Sequence, residues 1–157
     1  MMPRVTTKCF GELDYSPEGV FDFPYGLPGF EAENAFVFIE QPSTHPLIFM
    51  QSLSRQDVCF VLLPVLAAEQ AYQLCLSDED LLALHFPAGS QPQMGKEILC
   101  AVMVCAPDGQ RPQPTANLFA PVVVNIRQRI GIQAIQTRYS PRHPLVSNHR
   151  PAEVAAC

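Results

Sequence analysis

Short apolar segments alternate with polar turns along most of the chain. Four of them are four to seven residues long and rich in β-branched or aromatic side chains, as is typical of strands. They are residues 35–39, 47–50, 58–63 and 98–104. A further segment has a period of two, which predicts a strand with one apolar face and one largely polar face. Its apolar positions are Val122, Val124 and Ile126, and its other positions are Val123, Asn125, Arg127 and Arg129.

One helix start is clearly marked, at Ser77. A serine can cap a helix, and the next three residues, Asp78, Glu79 and Asp80, place carboxylates in the first turn, where the helix dipole favours them. Apolar residues follow at helical spacing until a proline ends the run. The sequence therefore predicts one short helix near residues 77–86.

The segment before this helix carries mixed signals. Residues 67–71 have good helix propensity, whereas Tyr72, Leu74 and Leu76 alternate as they would in a strand. Because the serine cap must begin a new element, we predict that residues 65–76 form a loop and then a strand.

Length and composition indicate one domain rich in extended segments and turns. The chain has 157 residues, 48% apolar and 16% charged, with 16 prolines against 8 glycines. A chain of about 150 residues can bury roughly two thirds of the surface that it exposes when unfolded. We expect a mainly β fold, a small single-domain antiparallel β-barrel, closed or partly open, over residues 1–145. Residues 146–157 lack periodicity, and we expect a flexible C-terminal tail there.

Charge is divided unevenly between the two halves of the chain. Residues 1–80 hold 12 acids and 3 bases, residues 81–157 hold 3 acids and 7 bases, and the formal net charge is −5. Nucleic-acid recognition needs clustered cations, and the only lysines are Lys8 and Lys96. We therefore expect no direct binding of nucleic acid, and the acidic half suits a basic protein partner.

Membrane and targeting segments are not evident. The sequence has no uncharged apolar stretch of about 18 residues, and its first residues lack the apolar core of a signal peptide. We expect a cytoplasmic protein with no membrane partner. Its six cysteines are then reduced thiols that pack as small apolar side chains.

Motifs of catalysis and cofactor binding are missing as well. There is no CxxC pair, HExxH helix, phosphate-binding glycine loop or GxSxG elbow, and we expect no cofactor. The acids Asp78, Glu79 and Asp80 can be read as a general acid/base pair or a divalent ion site, but helix capping and a charged face for a basic partner are favoured, and we expect no metal site. Two alternatives stay open: a hydrolase that uses a carboxylate or Cys59, and a structural β module of a larger assembly.

Four ordered motifs resemble those of a known family. They read FPYGLPGFE at residues 23–31, LSDEDL at residues 76–81, TANLFAPVVVN at residues 115–125 and YSPRHPL at residues 139–145. Each is similar to a motif of the bacterial flagellar assembly factor FliW family, in the order that the family has them. The resemblance covers about residues 5–145. The chain departs from the family's pattern at residues 63–72, which lack an acidic Asp-Pro turn, and at residues 89–95, which are rich in Pro and Gln.

The resemblance implies a β-barrel-like protein without catalytic activity. FliW-type proteins bind the RNA-binding translational regulator CsrA and prevent it from repressing flagellin mRNA, and accumulating flagellin binds FliW and releases CsrA. We therefore expect CsrA and flagellin as partners, in a partner-switching and chaperone role. The candidate partner-binding residues are Tyr25, Phe30, Asp78, Glu79, Asp80, Asn117, Arg142 and His143. Structural alternatives are a turn for Asn117 and an ion pair that holds the last strand for Arg142.

Overall fold

The computed structural model describes residues 2–145, so the predicted C-terminal tail, residues 146–157, lies outside the described residues. Residues 2–145 form eleven strands and two short α-helices. The strands are β1 Arg4–Thr7, β2 Gly11–Asp14, β3 Val20–Asp22, β4 Ala35–Glu40, β5 Ile48–Ser52, β6 Cys59–Pro64, β7 Ile98–Cys105, β8 Thr115–Ala116, β9 Val122–Asn125, β10 Ile130–Gln133 and β11 His143–Pro144. The helices are α1 Val65–Ala68 and α2 Asp78–Ala83. Neither helix is long and apolar enough to cross a membrane.

Seven of the strands form a closed ring. Hydrogen bonds join β9, β10, β3, β4, β5, β6 and β7 in that order, and β7 pairs with β9 to complete the ring. Neighbours are antiparallel except β3 and β10, which pair in parallel. Closure removes the free edges that an open sheet would expose. The predicted mainly β barrel is confirmed, in its closed rather than its partly open form.

The remaining strands lie outside the ring. Strands β1 and β2 form a separate antiparallel hairpin. Strand β8 pairs with the end of β7 and with β11, and we call this pair the β8–β11 ribbon.

Successive side chains along the ring strands point alternately into and out of the barrel, and they form one apolar layer inside it and one outside it. One face of β7 points into the barrel and its other face points outward. The inward side chains are Leu99, Ala101 and Met103, and the outward ones are Ile98, Cys100 and Val102. Phenylalanines fill much of the interior, whereas the outer layer is covered by α1, α2 and the segment between them. A strand buried on both faces reads as a continuous apolar run, which is the pattern of residues 98–104.

Strand β9 differs from its predicted pattern. It ends at Asn125 and is buried on both faces, since its outer face, with Val123, packs in the layer beneath α2. Asn125 tolerates burial because its Nδ2 donates to the Leu84 carbonyl at 2.7 Å and its Oδ1 accepts from the N–H groups of Arg127 and Gln128 at 3.1 Å. The prediction of a largely polar face was wrong, and the polar residues after Asn125 form the turn into β10.

The segment between β6 and α2 also differs from its prediction. Helix α1 begins where a loop was expected, and residues 72–76 form no strand. Side-chain amides replace the hydrogen bonds of a sheet partner: Gln136 bonds both backbone groups of Cys75, and Gln91 bonds both of Leu76, at 2.8–3.0 Å. The predicted strand was wrong because distant side chains already satisfy this backbone.

Inside the barrel, the ring of Phe23 lies against Gly131 of β10. Phe23 is fully buried and packs edge to face on Phe36, with 5.4 Å between the ring centroids. A Cβ at residue 131 would lie 2.5 Å from Cζ of Phe23, which is closer than two carbon atoms approach without a bond. The absence of a side chain at Gly131 therefore leaves the space that the ring fills.

A buried carboxylate links the loop after β3 to the turn after β5. Glu33 is 6% exposed and accepts hydrogen bonds from the hydroxyls of Ser54 at 2.5 Å and Ser52 at 2.7 Å. Its backbone N–H donates to the carbonyl of Phe30 at 3.0 Å. The bond from Ser54, followed by that from Ser52, holds the pKa of Glu33 below its ordinary value.

Replacement of Gly131 by alanine should destabilise the protein by about 1–3 kcal/mol, because the added methyl group must displace the Phe23 ring in a packed interior. Urea unfolding measures the change. Gly109→Ala is the matched control, since no atom lies within 4 Å of a Cβ built there. Equal stabilities of the two variants would contradict this packing.

Stability should fall in acid through Glu33. Its folded-state pKa lies below the ordinary 4.5, so the unfolded chain takes up a proton first as the pH falls. The stabilisation is therefore complete above about pH 4.5 and is lost as the pH falls through the folded-state pKa. Glu33→Gln should flatten the decline of Tm in this acid range, whereas Glu40→Gln, at an exposed position, should keep the wild-type slope. An unchanged slope in Glu33→Gln would refute the assignment.

Candidate partner-binding cleft

The first family motif, residues 23–31, forms a tight loop between β3 and β4, which we call the signature loop. Its fully buried anchors are Phe23 and Leu27. Gly26 has a φ of 62°, and a Cβ there would lie 2.6 Å from the Cα of Glu31, so the loop requires glycine at this point. Tyr25, held between the buried anchors, is 71% exposed.

Helix α2 confirms the predicted short helix and its serine cap. The hydroxyl of Ser77 accepts a hydrogen bond from the N–H of Asp80 at 3.1 Å. Leu81 and Leu84 are fully buried and hold the helix on the outer layer of the barrel. The opposite side of the first turn, with Glu79, therefore faces outward.

The signature loop and α2 meet at a cleft of about 450 Å³. Tyr25 and Glu31 line it from the loop, Glu79 and Asp80 line it from the helix, and Ile132 of β10 adds an apolar wall. No lysine or arginine is among its lining residues. Three carboxylates without a cation beside them give the cleft a negative potential. We call it the acidic cleft.

Three of the eight candidate residues line the acidic cleft: Tyr25, Glu79 and Asp80. Phe30 instead packs on Phe60 against the inner layer of the barrel, with 5.2 Å between the ring centroids. Asp78 accepts a hydrogen bond from the N–H of a glycine in the loop after α2. Phe30 and Asp78 thus contribute to the fold on either side of the cleft.

The other three candidates lie together at the β8–β11 ribbon. His143 belongs to β11, and Asn117 follows directly after β8. The side chain of Asn117 accepts a hydrogen bond from the N–H of Ala120 at 3.0 Å, which is the turn role foreseen as its structural alternative. Arg142 is exposed, and its backbone N–H donates to the hydroxyl of Ser140. None of the three lines the acidic cleft.

Six of the nine lining residues of the cleft were not among the candidates from the sequence, and two of the six, Glu31 and Gln133, have polar or charged side chains. Glu31 ends the signature motif, and its carboxylate accepts the N–H of Gly29 at 2.8 Å, which fixes it at the rim. Its charge and its place in the motif were signals that could have identified it. Gln133 offers no such signal, because its position depends on how β10 meets α2.

The thiols of Cys59 and Cys100 are shifted away from nucleophilic activation. Burial, with a smaller contribution from Cys9, raises the pKa of the Cys59 thiol to about 11, and burial raises that of Cys100 to about 12. Such thiols are protonated near pH 7 and are poor nucleophiles. Within residues 2–145, no group of three or more His, Cys, Asp or Glu side chains is placed to hold a metal ion. The hydrolase alternative therefore gains no support at Cys59.

Fold and cleft together define a class of small, closed β-barrel with a short helix packed outside the ring and a carboxylate-lined cleft beside that helix. The family model described as FliW protein matches residues 4–145. The chain belongs to the FliW family.

Individual relatives align with this chain over nearly its whole length. A flagellar assembly factor FliW of Desulfitobacterium hafniense strain Y51 is 34% identical over 152 residues, which cover 96% of this chain and 95% of the relative. One of Syntrophomonas wolfei is 30% identical over 144 residues, which cover 90% and 88%. A solved structure, described as the crystal structure of the flagellar assembly factor FliW, has a TM-score of 0.77 and 28% identity over 90% of this chain and 96% of that one.

Stability measurements should separate the adjacent acids Asp78 and Glu79. Asp78→Ala removes the acceptor of the 2.8 Å hydrogen bond from the N–H of Gly89 and should lower the free energy of unfolding by about 1 kcal/mol. Glu79→Ala, at the exposed cleft position, should lower it by less than about 0.5 kcal/mol. Urea denaturation measures both values, and equal losses would show that the bond to Gly89 contributes nothing.

Proposed function

We propose that this protein is a non-catalytic cytoplasmic antagonist of CsrA that also binds flagellin. In this role it keeps CsrA from flagellin mRNA, and flagellin that accumulates displaces CsrA from it, so that the protein also acts as a chaperone of flagellin. The observation that carries the proposal is the acidic cleft, since it joins two of the four family motifs at one exposed surface.

The charge of the acidic cleft suits a basic, RNA-binding partner. Glu31, Glu79 and Asp80 line it without a cation, and residues 1–80 carry a formal charge of −9. A surface of this sign attracts a basic protein and repels the phosphates of RNA. The protein would thus bind CsrA and would not itself bind the mRNA.

Exposed apolar side chains on the two elements that form most of the cleft suit a helical partner. Tyr25 is 71% and Leu82 is 61% exposed, and they belong to the signature loop and to α2, the two elements that form most of the cleft. The terminal helices of flagellin expose apolar side chains until flagellin assembles. An amphipathic helix is therefore the expected occupant. We propose that flagellin and CsrA use these same elements and exclude each other.

Titration of the purified protein against CsrA and against flagellin of the same organism tests the proposal. Both should bind, and flagellin should release CsrA from a preformed complex. Association with CsrA should slow by about tenfold between low and physiological salt, because screening weakens electrostatic steering. If the protein binds neither CsrA nor flagellin, the proposal is overturned. This is the result that a structural β module predicts.

A matched pair of double variants tests the site. Glu79→Gln with Asp80→Asn neutralises two cleft carboxylates with little change of shape, and association with CsrA should slow by about tenfold. The control, Asp22→Asn with Glu40→Gln, makes the same change in net charge at exposed positions of β3 and β4. It should leave the association rate within about twofold. Equal slowing in both pairs would place the contact outside the cleft.

A further inference from the structure

A second pocket, of about 410 Å³, lies where α2 ends, whereas the acidic cleft lies at its first turn. Three pieces of chain form it: the residues after α2, the turn before β7, and the turn between β9 and β10. The lining residues are His85, Phe86, Lys96, Glu97, Asn125, Ile126, Arg127 and Gln128. We call it the basic pocket, because it contains one of the two lysines of the chain together with an arginine and a histidine.

One wall of the basic pocket holds a residue in an unfavourable backbone conformation. His85 has a φ of 65° at the end of α2, where its N–H bonds the Leu82 carbonyl at 3.0 Å and the N–H of Phe86 bonds the Leu81 carbonyl at 2.8 Å. This helix ending usually employs glycine, which adopts a positive φ without a steric cost. The chain instead retains an imidazole there, and strain of this kind is concentrated at functional sites.

The opposite wall is held by hydrogen bonds. Asn125 donates to the Leu84 carbonyl at 2.7 Å and accepts from the N–H groups of Arg127 and Gln128 at 3.1 Å each. Two non-glycine residues among residues 2–145 have a positive φ, and the second of them, Arg129, lies in this same turn. The backbone that carries the Arg127 side chain is therefore fixed before any ligand binds.

The cations of the basic pocket lack an acidic partner in the described part of the chain. Lys96 and Arg127 form no ion pair within 4.0 Å among residues 2–145. Glu97 also lines the pocket, and one of its carboxylate oxygens accepts the backbone N–H of Gln93 at 2.9 Å. Ile126, beside them, is 43% exposed. Two cations against the single carboxylate of Glu97 leave a net positive charge in the pocket. This charge, next to an exposed apolar side chain, suits an anion that carries an apolar group.

We propose that the basic pocket binds an acidic peptide segment of a protein partner, with a carboxylate between Lys96 and Arg127 and a neighbouring apolar side chain on Ile126 and Phe86. A peptide is favoured over a nucleic acid because the protein has a net charge of −5 and an acidic cleft on the same helix. These charges repel a polyanion more strongly than they repel a ligand with a single carboxylate. This inference does not depend on what binds the acidic cleft.

A nuclear magnetic resonance titration of the isotope-labelled full chain tests the proposal. The probe is the blocked tetrapeptide acetyl-leucyl-glutamyl-glutamyl-leucinamide, and its glutamine counterpart is the uncharged control. Saturable shifts should concentrate at the amides around Phe86, Lys96 and Arg127, with at least about tenfold weaker binding of the glutamine peptide. Absence of saturable shifts, or equal binding of the two peptides, would overturn the proposal. So would tighter binding of inorganic phosphate, at equal ionic strength, than of the acidic peptide, because that result would favour a ligand that carries phosphate over one that carries carboxylates.

Matched variants locate the site. Lys96→Gln with Arg127→Gln should weaken binding of the acidic peptide by about tenfold, whereas Lys8→Gln with Arg138→Gln, which removes the same charges at exposed positions elsewhere, should change it by less than about twofold. Equal weakening in both pairs would mean that only net charge matters and would refute a built site.

The strained histidine provides a readout that a purely structural role would not give. His85→Gly should raise Tm by about 2–4 °C, because glycine relieves the backbone strain, and should weaken binding of the acidic peptide at the same time. A rise in Tm with unchanged peptide binding would contradict the proposal, because His85 lines the pocket in which the peptide is placed.

Discussion

Hydrogen bonding between β7 and β9 is the interaction on which the rest of the structure depends. It places Ile98 opposite Asn125 and closes a seven-stranded sheet into a ring. Closure buries the inner face of β7, while the outer face, which is equally apolar, still needs a cover. Helices α1 and α2, with the segment between them, provide that cover. The acidic cleft and the basic pocket both lie at the margins of this cover.

The family motifs divide into residues that hold the backbone and residues that the backbone exposes. In the signature loop, Phe23 and Gly26 set the path of the chain, and Tyr25 is left at the surface. In α2, Leu81 anchors the helix and Glu79 lines the cleft. Most of a motif therefore supports a few exposed positions. The exposed positions that the two motifs contribute to the cleft are correspondingly few.

Helix α2 separates two pockets of opposite charge. Carboxylates surround its first turn, whereas Lys96 and Arg127 lie beyond its end. The helix has only six residues, fewer than two turns, so its position is set by Leu81 and Leu84 in the outer layer rather than by helix propensity. Movement of these two anchors would change both pockets together, which gives one element influence over both of them.

The sequence by itself determined the class of fold, the barrel strands between residues 35 and 104, and the capped start of α2. These features follow from local rules: alternation with a period of two, and a serine placed before three acids. Only the tertiary structure decided which groups form hydrogen bonds with the backbone of each segment and which faces are buried. Gln136 and Gln91 replaced a sheet partner for residues 72–76, α2 buried the outer face of β9, and folding brought Glu31 beside Glu79. Contacts between segments far apart in the chain carry no periodic signal, because each arises where two separately anchored elements happen to meet.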